Sequence, residues 1–344
     1  MVTPVLQIED LAVEFTTPEG VLRAVDGVSY SVDAGETLAV VGETGSGKSV
    51  TVLAALGLLD AGRIVSGRVM FDGLDLLRLP DKKLRRLLGS NLTMVFQNPM
   101  SALNPVMTVG RQVAETLVVH DRKLTNKGAR GRAIELLALV GVPQPDVRFN
   151  QYPHEFSGGM CQRVVIAMAI ANNPRVIIAD EPTTAVDVTV QAQLLDLLQV
   201  AREETGAGVV LITHDLGVVA EVADRVAVMY AGRVVETAPV RNIFRAPQHP
   251  YTVGLLSCLP RLDSTVEELV PIPGSPANLL IRSPGCAFQP RCGLSADRDI
   301  CTSDRPELAA AAADSAAAGS WAACHFADET TAWSAREHLV REPS

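Results

Sequence analysis

The sequence predicts an α/β fold built on a parallel sheet and followed by a small cysteine-containing segment. Short apolar runs of strand length alternate with amphipathic stretches of helical length over roughly the first 250 residues. A glycine-rich run at residues 42–49 lies between one apolar run and a helical stretch, and prolines and cysteines become frequent after residue 251. We therefore expect two domains, residues 1–250 and 251–344.

The composition limits the kinds of function that the chain can have. It has 344 residues, of which 47% are hydrophobic and 20% charged, as in an ordinary globular protein. The formal net charge of −9 argues against nucleic acid as the main partner, because phosphate backbones are bound by clustered lysine and arginine. No stretch approaches the roughly 18 consecutive apolar residues of a membrane-spanning helix. Since the N-terminal residues also lack the basic start of a secretory signal, we expect a cytoplasmic protein.

Three apolar runs and one long helical region organise the first domain. The runs are short and rich in β-branched residues, which is typical of strands buried in one sheet. Residues 100–172 are helical in pattern, most clearly at 132–140 and 162–171, which predicts a helical subdomain inserted into the sheet domain. The predicted strands are residues 37–41, 176–179 and 209–213.

The run GETGSGKS at residues 42–49 matches the P-loop pattern G-x-x-x-x-G-K-S, between a predicted strand and a predicted helix. Glycines let the backbone curl so that successive N–H groups point at phosphates, and the helix N-terminus adds its positive end. Lys48 is suited to neutralise the β and γ phosphates, and the Ser49 hydroxyl to ligate Mg²⁺. A glycine-rich turn that binds nothing is the alternative, and the strand-loop-helix context argues against it. The residues expected to bind nucleotide here are Gly42, Thr44, Gly45, Ser46, Gly47, Lys48, Ser49 and Val50.

Two adjacent carboxylates, Asp180 and Glu181, follow the apolar run 176–179. This is the Walker B arrangement, in which Asp180 holds Mg²⁺ through water and Glu181 orients and polarises the attacking water. Two acidic residues in a strand-ending loop without a further role are the alternative. Their position directly after a buried run, with Pro182 closing the strand, favours the Walker B interpretation.

The run FSGGMCQR at residues 156–163 opens a further helical stretch. Alone, a Ser-Gly-Gly sequence indicates only a helix N-cap. With the Gln-Arg pair and the apolar helix after it, the run resembles the signature of the ABC family of ATPases. That resemblance extends from residue 6 to about residue 326 and implies an ABC-type P-loop NTPase: a RecA-like sheet core, an N-terminal antiparallel β part and an inserted helical subdomain. It also implies that Ser157, Gly158 and Gly159 contact the γ-phosphate of a nucleotide held by a second subunit, and that Gln162 belongs to the same site.

The resemblance assigns roles to four more residues. Gln97 corresponds to the Q-loop glutamine that senses Mg²⁺ and the attacking water, and Asp187 to the D-loop that crosses to the partner subunit. His214 corresponds to the histidine that contacts the γ-phosphate. Phe15 is the candidate for stacking on adenine, although a phenylalanine here also fits a core position. The implied catalytic residues are Glu181, His214 and Gln97, and the implied Mg²⁺ ligands are Ser49, Gln97 and Asp180.

Two segments are similar to the dipeptide and oligopeptide importer branch of the family. They are residues 151–155, before the signature, and residues 244–251, which end in His-Pro-Tyr. The resemblance implies an ATP-hydrolysing subunit of an importer of short peptides. Nickel complexes and opine-like compounds stay open as cargo, because cargo is contacted by the permeases and an external binding protein.

The same resemblance implies several partners. They are a second ABC ATPase, identical or a paralogue, two transmembrane permeases, and indirectly an extracytoplasmic peptide-binding protein. The chain would lie peripherally on the cytoplasmic face of the inner membrane, with residues 98–109 receiving a permease helix. A soluble ABC ATPase serving DNA repair or ribosomes is the rival, disfavoured because the chain has one cassette and no coiled-coil insertion. An exporter subunit is disfavoured by the His-Pro-Tyr extension.

Four of the six cysteines follow a C-x5-C-x8-C-x22-C spacing in the second domain: Cys286, Cys292, Cys301 and Cys324. Four thiolates suit either a zinc ion or a [4Fe-4S] cluster. The spacing is wider than in the usual zinc knuckles, and relatives in this branch carry an iron-sulfur cluster in this extension, so the cluster is favoured over zinc and over free thiols. A structural role is expected, because the extension has little apolar sequence of its own. The alanine-rich residues 309–320 are expected to form a surface helix or a linker, and the tail from residue 328 to be frayed.

Overall fold

The computed structural model describes residues 3–182, 188–259, 271–280, 283–295, 298–311 and 317–336. The chain divides into two compact units. The first unit comprises Met1–Leu6, Ser31–Thr37 and Met70–Ile212, and the second comprises Gln7–Tyr30, Leu38–Val69 and Thr213–Ser344.

Strands and helices alternate along much of the described chain, as the sequence predicts. The strands are β1 (Leu6–Thr17), β2 (Gly20–Val32), β3 (Thr37–Val41), β4 (Arg63–Phe71), β5 (Leu74–Asp75), β6 (Leu92–Val95), β7 (Val176–Asp180), β8 (Gly208–Thr213), β9 (Arg225–Tyr230), β10 (Arg233–Pro239), β11 (Ala309–Ala310) and β12 (Trp321–Ala322). The helices are α1 (Lys48–Ala55), α2 (Asp81–Leu87), α3 (Pro99–Ala102), α4 (Val109–His120), α5 (Asn126–Leu139), α6 (Pro145–Arg148), α7 (Gly158–Ile170), α8 (Val188–Thr205), α9 (Leu216–Val222), α10 (Val240–Arg245), α11 (Pro250–Ser257), α12 (Ile300–Ser303) and α13 (Ala327–Arg336). The three predicted strands are present as β3, β7 and β8.

The first unit has a parallel sheet with helices packed around it. Strand β7 lies between β6 and β8, with Ile178 opposite Met94 on one side and Val210 on the other. The apolar residues of β7 are all buried, which is why the strand is an unbroken apolar run in the sequence. Helix α7 packs against β6 and α8. The carboxyl ends of these parallel strands meet at one edge, so the residues that follow β6 and β7 lie near each other.

The helical part of the first unit contains α3 to α7, including the helices predicted at 132–140 and 162–171. Helix α5 begins six residues before its predicted start, at Asn126, because Thr125 caps it by accepting a hydrogen bond from the Gly128 N–H. Helix α4 packs against α5, and Gly110 on α4 meets the ring of Phe149. A β-carbon at Gly110 would lie 2.1 Å from that ring, so only glycine fits there.

The second unit has a mixed sheet in the order β11-β12-β10-β9-β3. Strand β3 pairs in parallel with β9, Val41 opposite Val228, and β9 pairs antiparallel with β10. Strands β2, β1 and β4 follow one another in a separate sheet. A buried core runs from β3 and β9 to Tyr251 on α11 and Phe288 in the cysteine-containing segment, which therefore shares its core with the phosphate-loop strand.

The segment after α11 folds differently from the expectation. Ala309 and Ala310 form β11 rather than a helix or linker, and β12 pairs with β10 through Trp321 opposite Thr237. Residues from Asp328 to Arg336 belong to α13 rather than to a frayed tail. Among the described helices, none combines the length and the apolar character needed to span a membrane.

Candidate nucleotide site

The phosphate loop in the second unit connects β3 to α1. Gly42, Gly45 and Gly47 have φ angles of 151°, 83° and 100°, in the region that favours glycine. A β-carbon would lie 2.1 Å from the Met229 carbonyl oxygen at Gly42, and 2.5 Å from the Ala24 carbonyl oxygen at Gly47. The loop is therefore curled tightly against neighbouring backbone, which explains the glycines at these positions.

Lys48 begins α1 and turns back over the loop. Its side chain is buried, and Nζ donates hydrogen bonds to the carbonyl oxygens of Gly42 at 2.8 Å and Glu43 at 3.0 Å. Ser46 is also buried, and its carbonyl oxygen accepts a hydrogen bond from the Gly232 N–H. The ammonium group thus lies at the centre of the loop, where a bound phosphate would need a positive charge.

Glu43 is held by two residues that the sequence analysis did not assign to the site. Its N–H donates to the Tyr251 hydroxyl oxygen at 2.7 Å. Its carboxylate accepts two hydrogen bonds from the Arg291 guanidinium, at 2.9 and 3.0 Å. Pairing with Glu43 raises the pKa of Arg291, and burial raises the pKa of Tyr251. Tyr251 belongs to the His-Pro-Tyr motif, whereas no sequence pattern indicated Arg291.

The carboxylate pair lies in the first unit, at the end of β7. The Glu181 N–H donates to the Ile212 carbonyl oxygen at 2.9 Å, and its φ of 45° is unusual for a residue other than glycine. Gln97, two residues beyond the end of β6, donates from Nε2 to Glu181 Oε2 at 3.0 Å. The structure thus brings together two of the predicted catalytic residues, and the strained backbone at Glu181 is typical of functional positions.

The signature run begins α7 in the first unit. Ser157 is the exposed N-cap, and its hydroxyl oxygen accepts a hydrogen bond from the Met160 N–H at 3.3 Å. A β-carbon at Gly158 would meet no atom within 4 Å, so the helix tip is open for approach. Gln162, on the same helix, is buried, with 1% of the residue exposed.

The other predicted contacts are distributed over the chain. His214 is exposed directly after β8, and Asp215 caps α9 by accepting a hydrogen bond from the Gly217 N–H. Phe15 is half-buried on β1, with its ring against Gly62. Asp187 lies outside the described residues.

One small cavity in the second unit is lined by Phe288, Leu294, Phe326 and the four cysteines of the predicted metal site, Cys286, Cys292, Cys301 and Cys324. None of the four is in a disulfide, and the Cys286 N–H donates to the Cys301 carbonyl oxygen. Burial raises the pKa of each thiol, that of Cys324 to about 12. Within the described part of the chain, no group of three or more His, Cys, Asp or Glu side chains is arranged to hold a single metal ion. Cys161, which is buried on α7, and Cys258, which is exposed, do not line this cavity.

The curled loop before α1 and the Asp-Glu pair at the end of a parallel strand define a P-loop NTPase, and the Ser-Gly-Gly run that opens α7 makes it an ATP-binding cassette. Solved structures agree with this class. A dimeric bacterial ABC transporter cassette superposes with a TM-score of 0.62 at 30% identity, covering 69% of this chain and 99% of that one. A dimeric cassette in a post-hydrolysis state bound to ADP and Pi matches with a TM-score of 0.62 at 29% identity, over the same shares of the two chains.

Sequence comparison gives the family. Residues 25–184 match the ABC transporter family, and residues 235–301 match the C-terminal region of oligopeptide and dipeptide transporters. The dipeptide transport ATP-binding protein DppD of Bacillus subtilis is 52% identical over 84% of this chain and 86% of its own. The oligopeptide transport ATP-binding protein OppD of Mycobacterium tuberculosis is 55% identical over 92% of this chain and 52% of its own, so the chain spans about half the length of that relative. The chain belongs to the ABC transporter family, in the branch of oligopeptide and dipeptide ATP-binding proteins.

Proposed function

We propose that this chain binds and hydrolyses ATP and so drives the import of di- or oligopeptides through partner permeases. The hydrogen bond between Gln97 and Glu181 is the observation that carries the catalytic part of the proposal. It holds a carboxylate oxygen in a fixed position at the edge of the sheet, as a group that polarises water must be held. The names of the relatives, which are peptide transport ATP-binding proteins, support the cargo class.

Each loop has a separate chemical role in this proposal. The glycine-rich loop supplies N–H groups to the β and γ phosphates, and Lys48 neutralises their charge. Mg²⁺, when bound, would be ligated by Ser49, Asp180 and Gln97 and would withdraw charge from the phosphates. Glu181 accepts a proton from the attacking water, His214 contacts the γ-phosphate, and Phe15 stacks on adenine.

ATP joins two cassettes in the proposed cycle. Ser157, Gly158 and Gly159 are at the open N-terminus of α7, where main-chain N–H groups suit a phosphate. They would contact nucleotide bound by the second ATPase, an identical copy or a paralogue, and Asp187 would cross to that partner. Gln162, which is buried on α7, would belong to the same nucleotide site.

The membrane partners are proposed from the family and from one surface. Met100 and Val106 are exposed apolar residues just beyond Gln97, 47% and 79% accessible. They suit contact with a permease helix, which would couple cassette closure to access across the membrane. The chain would work at the cytoplasmic face of the inner membrane with two permeases and, indirectly, an extracytoplasmic peptide-binding protein. Nickel or opine-like cargo stays open, and no nucleic acid partner is proposed.

The four cysteines fit a bound metal group by the chemistry of their donors. They line one cavity, none is in a disulfide, and each would have to lose the proton that burial holds on it. A [4Fe-4S] cluster would be held by Cys286, Cys292, Cys301 and Cys324. Zn²⁺ is the alternative, and it would require these thiols to move together, because no three of the described side chains are arranged to hold a single ion. Such a group would supply folding free energy to the extension.

Replacement of Glu181 by Gln tests the catalytic proposal. The amide keeps the size of the side chain but cannot accept a proton, so turnover should fall by about 100-fold or more while MgATP binding persists. Steady-state phosphate release and binding of a fluorescent ATP analogue measure the two effects. Glu135→Gln, at an exposed site on α5, is the matched control and should hydrolyse ATP like the wild type. Normal turnover in Glu181→Gln would contradict the assignment.

A further inference from the structure

A buried ion pair joins the phosphate loop to the cysteine-containing segment. The Arg291 guanidinium and the Glu43 carboxylate form two parallel hydrogen bonds, at 2.9 and 3.0 Å. The side chain of Arg291 is 5% exposed and that of Glu43 25%. A bidentate pair of this kind is among the strongest polar contacts in proteins, and its partial burial reduces screening by salt.

Arg291 has further contacts besides the pair with Glu43. Its Nε donates to the Pro273 carbonyl oxygen at 2.8 Å, and its guanidinium lies 5.8 and 5.9 Å from the ring centres of Tyr230 and Phe288. The residue occupies a short 3-10 turn, Gln289–Arg291, directly before Cys292. The guanidinium is therefore fixed by contacts in the segment and on β9 as well as by the pair with Glu43.

Tyr251 holds the backbone of the same loop residue. Its side chain is fully buried, and its hydroxyl oxygen accepts the Glu43 N–H at 2.7 Å. Both the main chain and the side chain of Glu43 are thus fixed by residues that follow β10 in the second unit. Within the phosphate loop, Glu43 is the only acidic residue.

A carboxylate beside a triphosphate would repel it, because like charges a few ångströms apart interact strongly near a protein surface. We propose that Arg291 is a positioning residue that cancels the charge of Glu43 and so sets the affinity of the phosphate loop for nucleotide. The C-terminal segment then acts on ATP binding through this one side chain. The inference rests on the proposed ATP-binding function and adds to it a role for the extension.

Nucleotide affinity of four full-length variants tests the inference. Arg291→Met keeps the bulk of the side chain but leaves Glu43 unpaired, so MgATP affinity should fall by about tenfold, or about 1.4 kcal/mol. Glu43→Gln removes the repelling charge and should bind MgATP at least as tightly as the wild type. The double variant should return to within about twofold of the wild type, because no uncancelled charge is left. Arg291→Lys keeps the charge without the two parallel hydrogen bonds, so its MgATP affinity should lie between those of Arg291→Met and the wild type.

Arg298→Met is the matched control. Arg298 lies in the same segment and pairs with Glu329 rather than with the loop, so its loss should leave nucleotide affinity unchanged. Thermal unfolding of every variant separates loss of fold from loss of affinity. If Arg291→Met does not fold, Glu43→Gln and the double variant still decide: a threefold or larger loss of affinity in either overturns the inference. Wild-type affinity for MgATP in a folded Arg291→Met variant would also overturn the inference. A wild type that binds no ATP would instead refute the proposed function itself.

Discussion

Gly42 is the residue at which a single methyl group should be most damaging to the phosphate loop. Its φ is 151°, and a β-carbon would lie 2.1 Å from the Met229 carbonyl oxygen and 2.9 Å from Ser46 Oγ. Gly42→Ala should therefore lose at least about 2 kcal/mol more stability than Gly27→Ala, which also has a positive φ, 74°, but open space around it. Urea unfolding of the two variants measures the difference. Equal losses would show that the loop relaxes around the added atom.

The residues of the loop were predictable from sequence, but the contacts of Glu43 were not. The pattern from Gly42 to Ser49 is local, so the spacing of glycine, lysine and serine is enough to predict a phosphate loop. Tyr251 and Arg291 lie 208 and 248 residues from Glu43 in the chain. Contacts at such separations depend on tertiary packing, which residue spacing does not encode. The burial of Gln162 is a similar case, because the face it occupies is set by what packs against α7.

At the scale of the elements, a buried carboxylate on β10 binds the two residues that directly precede α11. Glu236 is fully buried on β10, and its two oxygens accept hydrogen bonds from the N–H groups of Gln248 at 2.8 Å and His249 at 2.9 Å. Burial raises the pKa of Glu236 to about 7 from 4.5, and lowers that of His249 to about 3. The folded state therefore binds the Glu236 proton more tightly than the unfolded state does. Protonated Glu236 contributes to stability below pH 4.5, and this contribution is lost as the pH rises through about 7.

Glu236→Gln should remove that pH dependence. The stability of the variant relative to the wild type should rise between pH 5 and pH 8, by at most about 3 kcal/mol. The contribution of His249 to stability changes with pH in the opposite direction, but His249 is present in both proteins, so its effect cancels in the comparison. Urea unfolding at several pH values measures the difference. A constant difference across the range would mean that Glu236 is ionised throughout.

The elements that are short, continuous apolar runs were predicted best. β3, β7 and β8 are unbroken apolar runs, and each ends within one residue of its predicted boundary. The alanine-rich residues 309–320 contain no β-branched residue, so their pattern favours a helix or a linker. Ala309 and Ala310 form a strand instead because β12 offers them a pairing edge. Pairing of this kind is a tertiary effect that overrides the helix propensity of alanine.

At the scale of the whole molecule, we expect the cysteine-containing segment to need a bound metal in order to fold. The four thiols line one cavity within a segment that has short helices and two-residue strands, so the metal would replace a hydrophobic core of its own. Cys301→Ser, purified without oxygen, should lose most of the bound metal, and its unfolding midpoint should fall by about 5 °C or more. Cys258→Ser, at an exposed site away from the cavity, is the matched control and should match the wild type in metal content and unfolding midpoint.

Metal analysis of the wild type distinguishes an iron-sulfur cluster from zinc. About four iron atoms per chain with absorbance near 400 nm indicate the cluster, and one zinc in a colourless protein indicates zinc. Wild-type metal content in Cys301→Ser, or a metal-free wild type of unchanged stability, would contradict the proposal that a bound metal supports this segment.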